Sequence, residues 1–423
     1  MLTKELSATY TAILREELVP AMGCTEPIAI AYAAAKARAV LGEEPHTATV
    51  DVSGNIIKNV KSVIVPHTGG MRGIEAALAA GLSVGDADAT LEVLSSVTDK
   101  DVARIKAFRD ACTIKVRKAV SPCIFVIAVH LESAHHKVSL RIEETHTNIV
   151  EILRDGKKIY ENKAETEKKE ADRSCLSVEN IIAYADTVDI RDVKEVLDRQ
   201  ITYNTAIAEE GIRSPYGANI GKVLLSVYPD DVRTRAKAYA AAGSDARMNG
   251  CEMPVIINSG SGNQGITASV PVIVYAKEHG IDKERLYRAL CVSNLVTVHL
   301  KSGVGTLSAY CGVVSAGAGA GAGVTYLLGG GFREVAHTVV NALAIDSGVI
   351  CDGAKGSCAA KIAIAVESGL LGYEMYKSGN QFYSGDGIVK KGVENTIRNV
   401  SSLARDGMKE TDREILKLMT EDM

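Results

Sequence analysis

Three cysteines fall within one glycine- and alanine-rich stretch: Cys311 in SAYCGVV, and Cys351 and Cys358 in VICDGAKGSCAAK. A thiolate out of water needs a soft metal or a partner sulfur to offset its desolvation. Small neighbours let backbone N–H groups approach the sulfurs of a bound group. The pattern therefore points to a thiolate-held cofactor. A fourth cysteine, Cys24, stands in AMGCTEP. Thr25 is of the N-cap type and Pro27 suits a first helical turn, so Cys24 is expected beside a helix N-terminus, where the dipole lowers a thiol pKa. A buried cysteine in a helix–helix turn has the same local features. Cys112, Cys123, Cys175, Cys251 and Cys291 read as small buried side chains.

Two glycine-rich turns could receive a small anion. One is SGSGNQG, where Ser259, Ser261, Asn263, Gln264 and the backbone N–H groups offer donors, with a helix expected from about Thr267. The other is PHTGGMRG, a strand-to-helix turn holding His67, Thr68 and Arg72. The run from Gly317 to Gly323 can be matched to a dinucleotide fingerprint, but any Gly-Ala alternation satisfies that pattern and no strand precedes it. It reads as a tightly packed helix.

These residues need elements to hold them. A chain of 423 residues exceeds one ordinary core, so two domains are expected. Residues 46–65 read as two strands around Ser53-Gly54-Asn55, residues 84–119 as helices with polar faces, and residues 122–163 as strands with an Asp155-Gly156 hairpin turn. From Ser177 onward the strand signal is gone. The expected fold is α+β: an α/β-type domain over residues 1–165 with N-terminal helices, then a larger all-helical domain over 178–423 that holds the cysteine site. The charged run KAETEKKEADRS reads as the solvated linker between them.

Composition narrows the function classes. A net charge of −4 argues against a nucleic-acid surface. Trp is absent and Phe scarce, so the core must be aliphatic and alanine-rich. Residues 302–332 carry no charge, yet Gly, Ala and Ser dominate them, which makes a poor membrane span. Nine cysteines without a secretory leader pattern fit a cytoplasmic protein with reduced, metal-bound or catalytic thiols. Neither nucleic acid nor membrane is expected as a partner; a homodimer stays open.

Several motifs occur together in order: AMGCTEP, SGSGNQG, Cys311-Gly312, Cys351-Asp352-Gly353-Ala354-Lys355-Gly356-Ser357-Cys358, and SGDGI with ENTIRNV. Their combination resembles the L-cysteine desulfidase family, related to the α-domain of iron–sulfur L-serine dehydratases, over nearly the whole chain. The resemblance implies an oxygen-labile [4Fe–4S] cluster and a β-elimination that turns L-cysteine and water into pyruvate, ammonia and sulfide. It implies that Cys311, Cys351 and Cys358 hold the cluster. The loop from Cys351 to Cys358 is shorter than its counterpart and lacks that loop's proline. Cys24 matches a cysteine of the desulfidase pattern. It stands as a third ligand in place of Cys358, as a temporary fourth ligand, or as a catalytic thiol. Removing an amino acid's α-proton needs a base within about 3 Å, and His67, then His299, are the choices.

Three other readings share parts of this pattern. L-serine dehydration would use the same chemistry. A pyridoxal-phosphate eliminase would need a Schiff-base lysine on an early α/β segment, and no such lysine stands out. A non-enzymatic iron–sulfur or zinc protein, sensing redox state or scaffolding the fold, would use the cysteines alone.

Overall fold

The computed structural model describes residues 2–121, 123, 125–162, 170–305 and 308–421. Thr3 caps the first helix, α1 (Lys4–Glu17), by accepting from the Leu6 N–H at 3.2 Å. A short strand, β1 (Pro20–Met22), leads into α2 (Thr25–Leu41), β2 (Thr47–Val52), α3 (Gly54–Val60), α4 (Gly73–Val84) and α5 (Asp99–Ala111). Strands β3 (Thr113–Lys118), β4 (Val126–Glu132), β5 (Lys137–Glu143), β6 (Ile149–Arg154) and β7 (Lys157–Glu161) follow. The sheet runs β3-β2-β4-β5-β6-β7, with β2 and β3 parallel and the other neighbours antiparallel.

Its buried face follows the period of two. Val50 lies opposite Val129, and Val129 opposite Leu140. Each of these is fully buried, a contribution of about 1.5–3 kcal/mol per side chain. The alanine-rich helix α2 covers them. The other face carries Asp51, Arg117 and His130, bound together at 2.6 and 3.2 Å. Asp155 and Gly156 both take positive φ, as the expected hairpin requires.

Two expectations fail here. The second strand of residues 46–65 is instead helix α3, because Ile56, Ile57 and Val60 are spaced to bury one helical face. Residues 113–118 are not helical: TIKVRK forms an edge strand whose charged residues meet solvent.

The remainder is a helical body: α6 (Val178–Thr187), α7 (Ile190–Arg213), α8 (Ile220–Val227), α9 (Val232–Met248), then strand β8 (Pro254–Ile256) and α10 (Gly262–Glu278). Helices α11 (Lys283–Val304), α12 (Gly312–Leu327), α13 (Phe332–Asp346), α14 (Cys358–Lys377), α15 (Val393–Ser402) and α16 (Lys409–Thr420) complete it. The chain is thus α+β with a large helical C-terminal portion. Strand β8 interrupts the expected all-helical region and pairs with β1, Ala21 opposite Val255. Three residues are too few to show a period. Tyr10, Ile13, Leu14 and Leu18, in and just after α1, are buried in the core of the helical body. The first part of the charged linker, residues 163–169, lies outside the described residues.

The glycine-alanine run is a packed helix, as expected. Helix α12 sits between α11 and α14. A Cβ at Gly317 would lie 2.3 Å from the Ala365 carbonyl oxygen of α14, and one at Gly319 would lie 2.2 Å from Thr297 Oγ1 of α11. Gly317→Ala is therefore expected to destabilise the chain by about 1–3 kcal/mol, since backbone, not a flexible tip, must yield. A urea midpoint equal to that of the parent would refute the close crossing.

Candidate functional site

Loop geometry brings two distant stretches of sequence together. The Cys311 N–H donates to Val349 O at 3.1 Å, the Cys351 N–H donates to Ala309 O, and Tyr310 bridges Ile350. Cys311 is the N-cap of α12, and Cys358 is the first residue of α14. Between Cys351 and Cys358, Gly353 at φ 95° lies against α3, where a Cβ would come within 1.9 Å of the Lys58 carbonyl oxygen. Only glycine lets this loop sit there. Lys58 is itself buried, and its Nζ pairs with Asp412 of α16 at 2.6 Å.

Cys24, Cys311, Cys351 and Cys358 all line one cavity of about 500 Å³. Its walls come from both parts of the fold: Glu26 of α2, Lys58 of α3 and His146 of the β5–β6 turn on one side, Arg247 of α9 and Lys301 of α11 on the other. The donor loop joins them through Ser259, Ser261, Asn263 and Gln264. A buried amide network supports that loop. Asn258 Nδ2 donates to Asn294 Oδ1 at 2.9 Å, and Gln200 Nε2 donates to the same oxygen at 2.9 Å. The loop is shorter than expected: α10 begins at Gly262, not near Thr267, with Ser261 Oγ accepting from the Gln264 N–H.

The electrostatics divide the thiols. A hydrogen bond with Cys311 holds Cys351 below the ordinary thiol pKa despite its burial, and Lys58 and Lys361 add to this; the Cys311 thiol is raised in turn. Burial pushes Cys358 up. Cys24 does cap α2, one residue earlier than the Thr25 cap expected. Its pKa, however, is raised rather than lowered. Burial is the main cause and the Glu26 charge the next, and these outweigh the helix dipole. Its Sγ donates to Glu26 Oε2 at 3.0 Å. Burial also pushes the Glu26 carboxyl up, but His146, the Cys24 bond and Arg247 together leave it below its usual value. Burial brings the Lys301 ammonium down to about 8.

The cavity is not internally satisfied. His146 Nε2, Arg247 Nε, Gln264 Oε1 and Tyr310 Oη are shut from water without a hydrogen-bond partner among the described residues. Such groups cost free energy unless a ligand or water meets them. Among the described residues no three His, Cys, Asp or Glu converge as a single metal ion would require. A multi-iron cluster makes a different demand, because each thiolate binds its own iron. A set of cysteines around a roomy cavity with Lys58 and Lys361 nearby suits that softer, negatively charged group.

The other residues singled out in the sequence lie elsewhere. His67 sits at φ 58° with its Nδ1 3.1 Å from Glu252 Oε1. Thr68 Oγ1 donates to Val65 O at 2.7 Å, and Arg72 Nη1 donates to Ser62 O at 2.8 Å. That turn is held by its own chain, and none of the three lines the cavity. His299 Nε2 pairs with Glu394 Oε2 at 2.7 Å, while the other oxygen of Glu394 accepts from the Val178 N–H. This joins α11, α15 and α6. Glu26, His146, Arg247, Lys58 and Lys301 were missed. Cys123, set aside as packing, also lines the cavity. Glu26 follows Cys24 in the same motif and could have been found from it. His146 and Arg247 carry no local signal.

Comparison with known families matches residues 89–417 to the serine dehydratase alpha chain. A UPF0597 protein of Desulfitobacterium hafniense is 58% identical over 417 residues, 97% of this chain and 96% of its own. UPF0597 proteins of Lachnoclostridium phytofermentans and Treponema denticola are 51% identical over 408 residues and 46% over 429. The first of these pairings covers 96% of this chain and 98% of the relative, the second 100% of each.

Proposed function

The chain belongs to the serine dehydratase alpha chain family, and from that premise we propose that it is an iron–sulfur L-cysteine desulfidase. The observation that carries this reading is the meeting of Cys24, Cys311, Cys351 and Cys358 with the donor loop on one cavity. Cys311, Cys351 and Cys358 would hold a [4Fe–4S] cluster, with Cys24, on the wall of the same cavity, as a fourth, exchangeable ligand. The cluster's open iron would supply Lewis acidity toward the departing sulfur.

The chain's own residues supply the rest. Ser259, Ser261, Asn263 and Gln264 bind the amino acid. His146, the cavity's histidine, takes the proton from Cα. Burial lowers its pKa, so it is neutral near pH 7 and able to accept. The C–H electron pair forms the Cα=Cβ bond and the Cβ–S bond breaks. Aminoacrylate tautomerises to an imine, which water hydrolyses to pyruvate and ammonia, while sulfide leaves. Nine free cysteines fit a reducing, cytoplasmic setting. No helix among the described residues is long and apolar enough to cross a membrane.

Anaerobically purified protein is expected to contain iron and acid-labile sulfide and to form pyruvate from L-cysteine. Faster pyruvate formation from L-serine would favour the dehydratase reading, which the family description supports. Iron-replete protein that acts on neither amino acid would overturn the enzymatic reading altogether.

A further inference from the structure

Arg247 ends α9 with only 6% of its surface exposed. Its Nη1 donates to the neutral Asn263 amide oxygen at 3.2 Å, and its Nε has no hydrogen-bond partner among the described residues. The Glu26 carboxylate feels the guanidinium charge, but among the described residues no carboxylate lies within ion-pair distance of the fork, and an anion placed against it would offset its desolvation. The position is built for close approach: a Cβ at Gly262 would meet Arg247 Nε at 2.3 Å. On the same cavity wall Gln264 Oε1 is an acceptor without a donor. Gly312, next to Cys311, is what leaves room for it, since a Cβ there would lie 2.7 Å from Gln264 Cδ.

We propose that Arg247 receives the α-carboxylate of the substrate and Gln264 Oε1 its ammonium, so that the β-substituent points toward Cys311, Cys351 and Cys358. This rests on the amino-acid reading above and narrows it. The site requires a free carboxylate, and Arg247 is a substrate-binding residue, separate from the base.

Calorimetry with L-alanine, which has no leaving group, and ethylamine, which also lacks the carboxylate, tests the assignment on the anaerobic full-length protein. L-Alanine is expected to bind at least about tenfold more tightly, the scale of one charge-assisted pair. Arg247→Gln is expected to erase that preference and raise KM for L-cysteine by a similar factor with a smaller change in kcat. Arg247→Lys, which keeps the charge without the fork, restores part of the preference. If Arg247→Gln does not fold, Gly262→Ala displaces the guanidinium and is read the same way. Equal binding of the two ligands by the parent, or an unchanged preference in Arg247→Gln, overturns the proposal while leaving desulfidase activity intact. A parent protein that prefers L-alanine through Arg247 but forms no pyruvate overturns the elimination reading and leaves this one standing.

Discussion

Cys351→Ala is expected to lose its iron on anaerobic purification and to drop elimination by well over roughly 100-fold, the upper cost of losing merely a supporting partner of a metal site. Cys351 is the residue for which hydrogen bonding and nearby lysines both favour the thiolate needed for ligation. Its loop is anchored at both ends, by the Cys351 N–H to Ala309 O and by Gly353 against α3. Alanine leaves those anchors in place, so the loss would be chemical rather than a collapse of the loop. Cys175→Ala is the control. That thiol lies outside the cavity and donates to Asp172 O, and its removal should change neither iron nor rate. Full iron content in Cys351→Ala would remove it from the ligand set.

His146→Gln is expected to keep its iron and its KM while kcat falls about 10²- to 10⁴-fold, the usual contribution of a positioned base. The ring stacks edge-on against Phe125 with centroids 4.8 Å apart, which leaves Nε2 buried and unpartnered. Glutamine preserves much of the volume without a basic nitrogen. The pH profile supplies a separate signature. Burial lowers the histidine pKa below 6.5, with Glu26 opposing. The neutral form is the base, so the parent's kcat should stay level through neutrality and fall only as pH drops through that lowered pKa. The variant should lack this acid limb. His67→Gln and His299→Gln should retain the limb, because their partners are Glu252 and Glu394 rather than the cavity. A His146→Gln enzyme with parental kcat would remove His146 as the base and turn attention to Lys301, another cavity group whose pKa burial lowers, to about 8.

What could be read from the chain followed how local each signal is. The thiols, the SGSGNQG loop and the packed glycine-alanine helix announce themselves within a few residues, and each is where its type demands. Helix α3 was mistaken for a strand because only three apolar residues, Ile56, Ile57 and Val60, mark its period in seven positions, too few to tell a short helix from a strand. The edge strand β3 hid behind its lysines and arginine. His146 and Arg247 reach the cavity only through the fold, when the β5–β6 turn and the end of α9 meet across it. His67 drew notice as a histidine in a glycine-rich turn, yet such a turn can as readily be closed by its own chain, as here with Glu252.

The clasp between Lys58 and Asp412 spans 354 positions of sequence, and Lys61 extends it by donating to Met419 O at 2.7 Å. Its meaning lies in the timing of synthesis. The sheet can pair while the ribosome is still making the helical body. The wall that Lys58 lends to the cysteine cavity is braced only after α16 has emerged. A nascent chain would therefore display Cys24 long before Cys311, Cys351 and Cys358 have a finished pocket, so a group held by all four thiols would have to enter after translation rather than during it.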